Sequence, residues 1–416
     1  MANSNSFDLV TVGGGMAASA LAIAMARSGA RVLVLEKETK FRDRVRGEGL
    51  VPWGVAEARQ LGIADLLVQT CAKEVPWIEM GFGPRNLVET TPQKAPMLTY
   101  CHPEMQEVLL AEAERAGAEV RRGVTVESVD PRAGAEKHAT VTVRNGTAER
   151  IRARLVIGAD GRGSAARRWA GFAVEKLQLG YQFAGVQMTG VRSREDMCTF
   201  VFNPEVGMLV ALVPQTKGRW RSYLGYPTGG RSLQGSDKLG AFVAESARAL
   251  PMMAEVYADV QSIGPLAAFD VSESWVRHPY RDGVALLGDA AATSDPTFGQ
   301  GMATAVRGAR VLRELLLGNE DWDKAGQEYA REHDRYFQNS HKVCGWMRTL
   351  LQDPCAESAA LRQRAMPKIT EDMMRVPDHV ISGPDLPADD TVRARWVEIR
   401  PFTRYHARFL SIVVSP

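Results

Sequence analysis

A glycine-rich turn between two apolar segments constrains this chain more than any other feature. Residues 7–12 are largely apolar and predict a short buried strand, and residues 16–28 predict an alanine-rich helix. The turn Gly13-Gly14-Gly15 connects them, and a second apolar strand over residues 31–35 ends at Glu36. Together they predict a βαβ unit, which requires a parallel sheet with a right-handed crossover.

The uncharged run over residues 9–26 is nearly long enough to span a membrane. Three glycines interrupt this run, and the first basic residue is Arg27, so neither a spanning helix nor a signal peptide is favoured. We therefore expect no membrane span, no targeting segment and a cytoplasmic location.

Charge and cysteine content exclude several classes of function. With 51 Lys+Arg against 49 Asp+Glu, the 416-residue chain has a formal net charge of +2, which does not favour nucleic-acid binding. The five cysteines form no CxxC pair, and the seven histidines form no metal motif. We expect reduced thiols and no bound metal.

Farther along the chain the βα pattern is replaced by alternating segments, and it returns near residue 284. Alternating segments at 198–202, 208–213 and 220–226 favour an antiparallel sheet, which we interpret as an inserted domain. The βα pattern returns at 284–287 and continues into a long helix over about 299–317. Further expected elements are helices over 105–116 and 238–250, strands over 120–129, 138–144 and 148–155, a type I′ turn at Asn145-Gly146, and C-terminal helices broken at Pro354, Pro367 and Pro377.

The spacing Gly13-x-Gly15-x-x-Ala18 between a strand and a helix is typical of a dinucleotide-binding turn. Glycine lets the backbone approach a pyrophosphate at the helix N-terminus, and a small residue at position 18 lets the helix pack on the strand. Glu36 is placed to accept hydrogen bonds from a ribose. The alternative is a chance glycine turn, which the flanking elements and the acid disfavour.

A second motif, Asp160-Gly-Arg-Gly-Ser164-Ala-Ala-Arg167, follows the apolar segment 155–159. No second βαβ unit surrounds this motif, so we do not predict an independent NAD domain. The alternative is an ordinary strand-to-helix turn with Ser164 near a cap.

The third motif begins at Gly288-Asp289, directly after the strand at 284–287. An aspartate in this position can hold a sugar hydroxyl. Pro296, Gly299 and Gly301 then bring a helix N-terminus against an electron-rich group. Taken alone, this motif is also compatible with a solvated turn.

In their order and spacing, these motifs resemble those of the class A FAD-dependent monooxygenases, which have the para-hydroxybenzoate hydroxylase fold. The resemblance covers about residues 7–317. It implies an α/β protein with a Rossmann-like FAD-binding domain, an inserted antiparallel-sheet substrate domain and a C-terminal helical region. The expected bounds are 1–178 and 277–350 for the two parts of the FAD-binding domain, 179–276 for the substrate domain and 351–416 for the helical region.

The resemblance also implies cofactor contacts. The first motif binds the ADP part of FAD in this family, and the DGxxSxxR motif, matched by Asp160, Gly161, Ser164 and Arg167, serves FAD and NAD(P)H. Asp289 matches the residue that holds the ribityl chain, and the PxxGQG loop, which includes Gln300, lies beside the isoalloxazine ring. The expected FAD-binding residues are Gly13, Gly15, Met16, Ala17, Ala18, Glu36, Lys37, Arg46, Gln106, Val126, Asp160, Asp289, Pro296, Gly299, Gly301 and Met302.

Two positions depart from the family pattern. Ala292 stands where the family often has a histidine, so any role of that histidine is absent. His102 replaces a common arginine, and we interpret it as a helix-entry residue rather than a catalyst. Arg46 matches a frequent FAD-contacting arginine, with a solvated charge as the alternative.

The chemistry that the resemblance implies is carried by the flavin. NAD(P)H reduces FAD, and O₂ then forms a flavin C4a-hydroperoxide that hydroxylates or epoxidises an aromatic or polycyclic small molecule, such as a polyketide. The helix that begins near Gly301 and Met302 aims N–H groups at the flavin and stabilises its anionic reduced form. We assign no catalytic side chain.

The substrate is expected in a largely apolar pocket between the inserted sheet and the flavin. We expect about a third of the candidate side chains to contact it and the others to belong to the core. The candidates are Trp53, Tyr100, Tyr181 and Phe298, together with Pro52, Phe183, Phe200, Tyr223 and Tyr226.

Two charged features each leave two interpretations. Glu48 can act as a base on a phenol, but a surface carboxylate is the favoured interpretation. The arginine-rich stretch over residues 150–168 can meet NADPH phosphates, and a solvated basic face is at least as well supported.

The same scaffold also supports other activities. The halogenase WxWxIP signature is missing, because residues 207–214 have the sequence GMLVALVP, and the tryptophan common in the reductases is absent too. An FAD-dependent reductase or dehydrogenase without oxygen insertion is the second interpretation, and a non-catalytic FAD- or ligand-binding protein is the third. A separate flavin reductase remains possible as a partner. The sequence does not specify the substrate, the choice of NADPH or NADH as electron donor, or the oligomeric state.

Overall fold

A computed structural model describes residues 5–397, apart from residues 135, 146, 230–232 and 234–236. The predicted turn at Asn145-Gly146 includes Gly146 and therefore lies outside the described residues.

The first sheet contains the predicted βαβ unit. Ser6–Val12 pairs in parallel with Val32–Glu36 on one side and with Thr147–Gly158 on the other. The predicted strand over 120–129 is two strands, because the chain turns at Gly123, whose φ is +71°. In spatial order the strands are Tyr280–Arg281, Val284–Leu286, Thr147–Gly158, Ser6–Val12, Val32–Glu36 and Glu119–Arg122, and Ala139–Asn145 and Thr125–Asp130 extend antiparallel from Thr147–Gly158.

Both faces of the first sheet are buried, as a parallel sheet with helical crossovers requires. Leu9 belongs to the core beneath the helices Met16–Arg27, His102–Arg115 and Gln300–Gly318, whereas its neighbour Val10 belongs to a second core on the opposite face. This alternation follows from the two-residue period of a strand. The carboxyl ends of the parallel strands Ser6–Val12, Val32–Glu36 and Thr147–Gly158 lie at the same edge of this sheet.

Most strands of the second sheet come from residues 181–270, between Thr147–Gly158 and Tyr280–Arg281 of the first sheet. The second sheet extends beyond the predicted range 179–276, because Trp77–Glu79 pairs in parallel with Met197–Asn203 at its edge. An edge strand offers unpaired backbone groups to any segment that reaches it, and alternation in the sequence does not reveal which segment does. The strand order is Gln261–Ser262, Tyr181–Thr189, Trp220–Pro227, Met208–Pro214, Met197–Asn203, Trp77–Glu79 and Arg85–Asn86, and Ala267–Asp270 also pairs with Tyr181–Thr189.

The remaining elements are two small sheets and the other helices. One small sheet contains Glu175–Leu177, Glu273–Trp275 and Ala292–Thr293, and another contains Gly49–Leu50, Met97–Tyr100 and Ala72–Val75. The other α-helices are Pro52–Gln60, Ala64–Thr70, Leu87–Thr90, Ala165–Trp169, Lys238–Ala249, Met253–Val256, Trp322–Leu351, Ala356–Glu371, His379–Ser382 and Asp390–Val397, and 3₁₀ turns occur at Gly288–Ala290, Pro296–Phe298 and Met373–Arg375.

The C-terminal region is helical as predicted over the described residues up to 397, and residues 398–416 of the predicted region lie outside them. One expected break in this region is wrong. Pro354 lies in the connection between two helices and Pro377 precedes a short one, whereas Pro367 lies inside Ala356–Glu371. The buried Leu361, Ala365 and Ile369 hold one face of that helix against the core, so tertiary packing outweighs the missing backbone donor. No helix in the described part of the chain combines the length and apolar character needed to cross a membrane.

Candidate active site

The glycine turn after the first strand has a conformation that other residues resist. Gly13 has a φ of +102°, and a Cβ there would lie 2.5 Å from the carbonyl oxygen of Ala159. Gly15 is the N-cap of Met16–Arg27 and offers no side-chain acceptor to the first N–H groups of that helix. These donors therefore remain available to an anion at the helix N-terminus.

Glu36 closes the second strand and is buried beside this turn. Its Oε2 accepts a hydrogen bond from the Gly14 N–H at 2.7 Å, and its Oε1 accepts one from the Glu38 N–H at 2.8 Å. An ionised carboxylate has about four lone-pair sites, so this anchored group can still accept hydrogen bonds from a ribose.

A groove of about 490 Å³ runs along these strand ends. Ala18 does not line the groove; it is a fully buried residue of the helix Met16–Arg27, which is the packing role expected from a small residue. The expected FAD-binding residues that line this groove are Gly13, Gly15, Met16, Ala17, Glu36, Lys37, Arg46, Gln106, Val126, Asp160, Asp289 and Met302.

The second motif, Asp160-Gly-Arg-Gly-Ser164-Ala-Ala-Arg167, forms part of the wall of the groove, and its polar side chains are engaged in hydrogen bonds within the motif. Asp160 Oδ2 accepts hydrogen bonds from the N–H groups of Ala165 and Ala166, and Ser164 Oγ accepts one from the Arg167 N–H. Asp160 and Ser164 thus fix the start of Ala165–Trp169. Burial lowers the pKa of Arg167, whose guanidinium donates to the carbonyl oxygen of Ala290 at 3.2 Å and so ties this motif to the third one.

Several arginines of the stretch 150–168 are engaged within the protein. The Arg154 guanidinium lies over the Trp322 ring, and Arg168 donates to the carbonyl oxygens of Gly163 and Ser164. Arg162 faces the groove, a role that the sequence did not single out because the motif leaves that position unspecified. It donates to the carbonyl oxygen of Asp270 at 2.7 Å and so joins the first sheet's motif to the second sheet.

The third motif ends the groove and begins a second cavity. Asp289 lines both spaces; burial raises its pKa, and the nearby Arg46 and Arg162 oppose that rise. The second cavity has a volume of about 230 Å³. Pro296, Gly299, Gly301 and Met302 line it, and Arg46, His102, Arg162, Asp289 and Met302 are shared with the groove, so the two spaces adjoin.

Gly299 gives the second cavity an open helix end. Its φ is +65°, and as the N-cap of Gln300–Gly318 it offers no side-chain acceptor to the helix N–H groups. Asp295 caps the preceding 3₁₀ turn through the Thr297 N–H and also accepts a hydrogen bond from Arg348 Nε at 2.9 Å. The loop that presents the helix N-terminus to the cavity is therefore fixed from behind.

A group of aromatic side chains also lines the second cavity. Phe183, Tyr223 and Phe269 lie with ring centroids 6.0–6.3 Å apart, and Phe200 lines the same cavity. Phe269, which the sequence did not single out, is contributed by Ala267–Asp270, where every second residue is partly shielded.

Other aromatic candidates lie outside the cavity lining. Trp53 donates from Nε1 to Gln300 Oε1 at 3.2 Å, Tyr100 is fully buried, and Tyr181 donates to the Gln352 carbonyl oxygen at 3.3 Å. Phe298 stacks on Phe202 in the core. Pro52 and Tyr226 are also outside the lining. The four leading candidates, Trp53, Tyr100, Tyr181 and Phe298, therefore pack in the protein interior and do not line the cavity. The local sequence does not show which aromatic rings face a cavity, because that depends on how each helix or strand packs in the fold.

His102 is the first residue of His102–Arg115, as expected of a helix-entry residue, and it also lines both cavities. Its Nδ1 lies 2.7 Å from the carbonyl oxygen of Gly47, and burial lowers its pKa to about 4. The ring is therefore neutral near pH 7 and holds the segment that carries Arg46 and Glu48.

The favoured interpretation of Glu48 as a surface carboxylate is wrong. Glu48 is 6% exposed and lines the second cavity. Burial raises its pKa to about 7, although the Arg221 guanidinium and a hydrogen bond from the Tyr223 hydroxyl both oppose that rise. Arg221 comes from the inserted sheet, so the local sequence around Glu48 gives no sign of this environment.

The glycine turn, the buried acidic acceptor and the second open helix end together describe a flavin nucleotide site that opens into an apolar pocket. The chain belongs to the FAD binding domain family, whose match extends over residues 6–343. The predicted recognition as a class A FAD-dependent monooxygenase, its α/β fold and its class of flavoprotein enzyme are therefore confirmed.

Individual relatives agree with this assignment. The 6-methylpretetramide 4-monooxygenase of Streptomyces rimosus is 29% identical over 321 residues, which cover 74% of this chain and 75% of that protein. The flavin-dependent brominase Bmp2 has the same fold, with a TM-score of 0.73 and 17% identity over 93% of this chain and 97% of that chain. A p-nitrophenol 4-monooxygenase from Pseudomonas putida DLL-E4 gives a TM-score of 0.70 and 21% identity, covering 91% and 99% respectively.

The residues of the groove fit FAD. The open N-terminus of Met16–Arg27 suits a pyrophosphate, Glu36 suits a ribose hydroxyl, and Asp289 suits a hydroxyl of the ribityl chain. The open N-terminus of Gln300–Gly318 suits the electron-rich edge of a flavin ring. FAD bound in this way would supply redox chemistry next to the second cavity.

Proposed function

We propose that this enzyme uses NAD(P)H and O₂ to insert one oxygen atom into an aromatic or polyketide-like small molecule held in the 230 Å³ cavity. The observation that carries the proposal is the junction at Arg46, Asp289 and Met302, where the flavin groove adjoins the aromatic cavity. A planar aromatic substrate matches a wall formed by Phe183, Phe200, Tyr223 and Phe269. The Streptomyces relative, which is named as a 6-methylpretetramide 4-monooxygenase, supports the same type of reaction.

The residues of the chain orient the substrate and provide a fixed electrostatic field for this reaction. The helix N-terminus at Gln300 stabilises negative charge at the reacting end of the cofactor without moving during the reaction. The aromatic wall excludes water and orients a flat ring, which brings its reacting carbon towards the loop Pro296–Phe298 and Gly299.

The proposal is tested with the purified protein and ¹⁸O₂. NADPH and then NADH are added without air while the flavin spectrum is recorded, and labelled oxygen is readmitted with a panel of aromatic and polycyclic compounds. We expect the yellow protein to bleach and one ¹⁸O atom to enter a product. Bleaching that is faster with one nucleotide identifies the electron donor, and bleaching only by an added flavin reductase identifies a partner enzyme.

The same experiment separates the alternative activities. A protein that is reduced and returns electrons to an organic acceptor without incorporating ¹⁸O is a reductase or dehydrogenase. A protein that binds FAD but neither bleaches nor oxidises any compound is a ligand-binding protein, and either result contradicts the proposal.

A further inference from the structure

Two aromatic rings of the substrate cavity each have a glycine as their neighbour on the next strand of the inserted sheet. Phe183 lies directly opposite Gly225 in the antiparallel pair that these two residues form. Two residues farther along, Gly185 lies directly opposite Tyr223. Residues directly opposite each other share one face of a sheet. The two glycines therefore belong to the face from which Phe183 and Tyr223 line the cavity.

Both rings lie over these glycines. A Cβ at Gly225 would be 2.7 Å from Cε1 of Phe183, and a Cβ at Gly185 would be 2.5 Å from Cε1 of Tyr223. Cβ atoms do not come so close to another heavy atom, so any larger residue would displace the ring. Side chains of a strand usually stand roughly perpendicular to the sheet. The outer edges of these two rings instead reach across to the neighbouring strand and stay close to the backbone.

The need for glycine at these positions comes from the rings and not from the backbone. Neither Gly185 nor Gly225 has a φ in the left-handed region that favours glycine. Glycine in the interior of a strand weakens it, and one reason for its presence is the close approach of another group. Here that group is the aromatic ring of the opposite residue.

Further aromatic rings extend the lining to both sides. Phe269 lies opposite Phe183 on one side. On the other side Ala211 lies opposite Tyr223, and Phe200 lies opposite Ala211. The strands of Phe269 and Phe200 are thus four spacings apart, at roughly 4.8 Å for each spacing. Both rings line the cavity, so its aromatic lining is wider than a single benzene ring.

We propose that Gly185 and Gly225 are specificity-determining residues, which keep the rings of Tyr223 and Phe183 low enough for the cavity to accept a flat substrate of two or more fused rings. This inference rests on the proposed function, because it concerns the substrate of that reaction in the same cavity. Neither glycine lines the cavity, so both act through the rings above them. A methyl group beneath either ring would lift it away from the sheet and into the space that the substrate needs.

Gly225 is the better of the two positions for a test. A Cβ at Gly185 would also be 2.6 Å from Cγ1 of Val45, which precedes the groove residue Arg46. A substitution there would therefore disturb the flavin groove as well as the Tyr223 ring. At Gly225 the other close atom is Cγ of Leu209, at 2.9 Å, and Leu209 lines neither space.

The test measures binding to the oxidised, FAD-loaded enzyme by equilibrium dialysis, without NAD(P)H. The probes are benzamide, 2-naphthamide and anthracene-2-carboxamide, which carry the same uncharged polar group and differ in the number of fused rings. We expect the wild type to bind the two larger amides more tightly than benzamide, because they cover more of the aromatic lining. Gly225→Ala should raise the Kd of the two larger amides about 5- to 150-fold, the usual effect of overpacking by one methyl group, and should change that of benzamide least.

A double-mutant cycle with Phe183→Leu tests whether the glycine acts through the ring. Leucine has no ring for the new methyl group to displace. The rise in Kd caused by Gly225→Ala should therefore be smaller in the Phe183→Leu protein than in the wild type, whereas a general disturbance of the sheet would give equal rises. If Gly225→Ala alone does not retain FAD, retention in the double variant supports the same contact, and loss of FAD from both variants overturns the inference.

Gly345→Ala is the matched control. Gly345 lies in the helix Trp322–Leu351, and a Cβ there would have no heavy atom within 4 Å outside its own helix turn and chain neighbours. This variant also adds one methyl group in place of a hydrogen. It should bind all three amides as the wild type does.

The outcomes distinguish this inference from the proposed function. Equal rises in Kd for the three amides, equal effects of Gly225→Ala with and without the Phe183 ring, or no binding of the two larger amides by the wild type overturns the role of the glycines. None of these results bears on oxygen insertion, which the ¹⁸O₂ experiment decides with its wider panel. The expected size selection without any incorporation of ¹⁸O would contradict the proposed function alone.

Discussion

The carboxylates of Asp289 and Glu48, which both line the cavity, are each subject to two opposing influences on their pKa. Burial raises the pKa of each, and nearby arginines oppose the rise: Arg46 and Arg162 at Asp289, and Arg221 at Glu48. Such perturbed groups concentrate at functional sites because a low-dielectric pocket magnifies both effects. Asp289 and Glu48 therefore each lead to a separate prediction.

Asp289→Ala should weaken FAD binding, because it removes the acceptor that lines both the groove and the cavity. A hydrogen bond to a charged group contributes about 1.5–3 kcal/mol, so the Kd for FAD should rise about 10- to 100-fold. Flavin retained after gel filtration and fluorescence titration measure this. Asp282→Asn, an exposed aspartate with a φ of +43° that asparagine tolerates, is the matched control. Full flavin occupancy in Asp289→Ala would contradict the assignment.

Glu48 should also shape the pH dependence of stability. Its pKa rises from 4.5 in the unfolded chain to about 7 in the folded protein, so the folded state binds the proton more tightly. This stabilisation is fully present below pH 4.5 and is lost as the pH rises through about 7. The unfolding free energy of the FAD-loaded wild type should therefore fall relative to that of Glu48→Gln between about pH 5 and 7. Denaturant titrations at several pH values measure the difference, and parallel curves for the two proteins would disprove the shift.

At the scale of elements, the helix Gln300–Gly318 is effective only because the loop before it is fixed. Asp295 is 1% exposed, caps the 3₁₀ turn Pro296–Phe298 and pairs with Arg348 of Trp322–Leu351. Glu273 of the small sheet accepts a hydrogen bond from the Asp295 N–H at 3.0 Å. Two elements distant in sequence, the helix Trp322–Leu351 and the strand Glu273–Trp275, therefore hold the open helix end at the cavity.

Asp295→Ala should destabilise the protein by about 3–5 kcal/mol, because it leaves the Arg348 guanidinium, which is only 16% exposed, without its principal partner. Asp372→Ala is the matched control: Asp372 also caps a 3₁₀ turn, through the Met374 N–H, and also pairs with an arginine, but it is 47% exposed. Its cost should be about 1 kcal/mol, the usual contribution of a cap. Chemical unfolding of both variants provides the comparison, and equal costs would mean that burial is not the deciding factor.

At the scale of the whole molecule, Arg307 joins the flavin-side helices to the C-terminal region. It lies on Gln300–Gly318, is 6% exposed and contacts Glu57 at 3.1 Å, Glu332 at 3.2 Å and Asp385 at 2.7 Å. These partners belong to Pro52–Gln60, to Trp322–Leu351 and to the segment after His379–Ser382. One guanidinium thus connects four parts of the chain, with its five donors in a fixed planar arrangement.

Arg307→Ala should cost about 3–5 kcal/mol, because it leaves the buried Glu57 carboxylate with less compensation and removes the link to Asp385. The exposed Arg331, 3.9 Å from Glu328 and 62% exposed, is the control, and its substitution by alanine should cost less than about 1 kcal/mol. Limited proteolysis should also cut the region after residue 351 more readily in Arg307→Ala. Unchanged unfolding and proteolysis would show that the C-terminal region is held by its apolar contacts alone.

The sequence by itself determined the βαβ unit, the three motifs and their order, and the alternating strands of the inserted sheet. These features depend on local properties: the period of apolar residues, the φ that Gly13 and Gly299 adopt, and short spacings within one turn. With the exception of Ala18, which is buried within the helix Met16–Arg27, every expected FAD-binding residue lines one of the two adjoining spaces.

Only the tertiary structure decided the environment of the remaining residues. Glu48 is buried because Arg221 and Tyr223 approach from a sheet whose sequence lies more than 170 positions away. Tyr181 and Phe183 lie two residues apart on the same face of one strand, yet Phe183 lines the cavity while the Tyr181 hydroxyl donates to the Gln352 carbonyl oxygen of the C-terminal region. Pro367 remains helical because its neighbours pack against the core. Burial, side-chain direction and pKa depend on contacts between distant segments, and no local pattern in the sequence contains them.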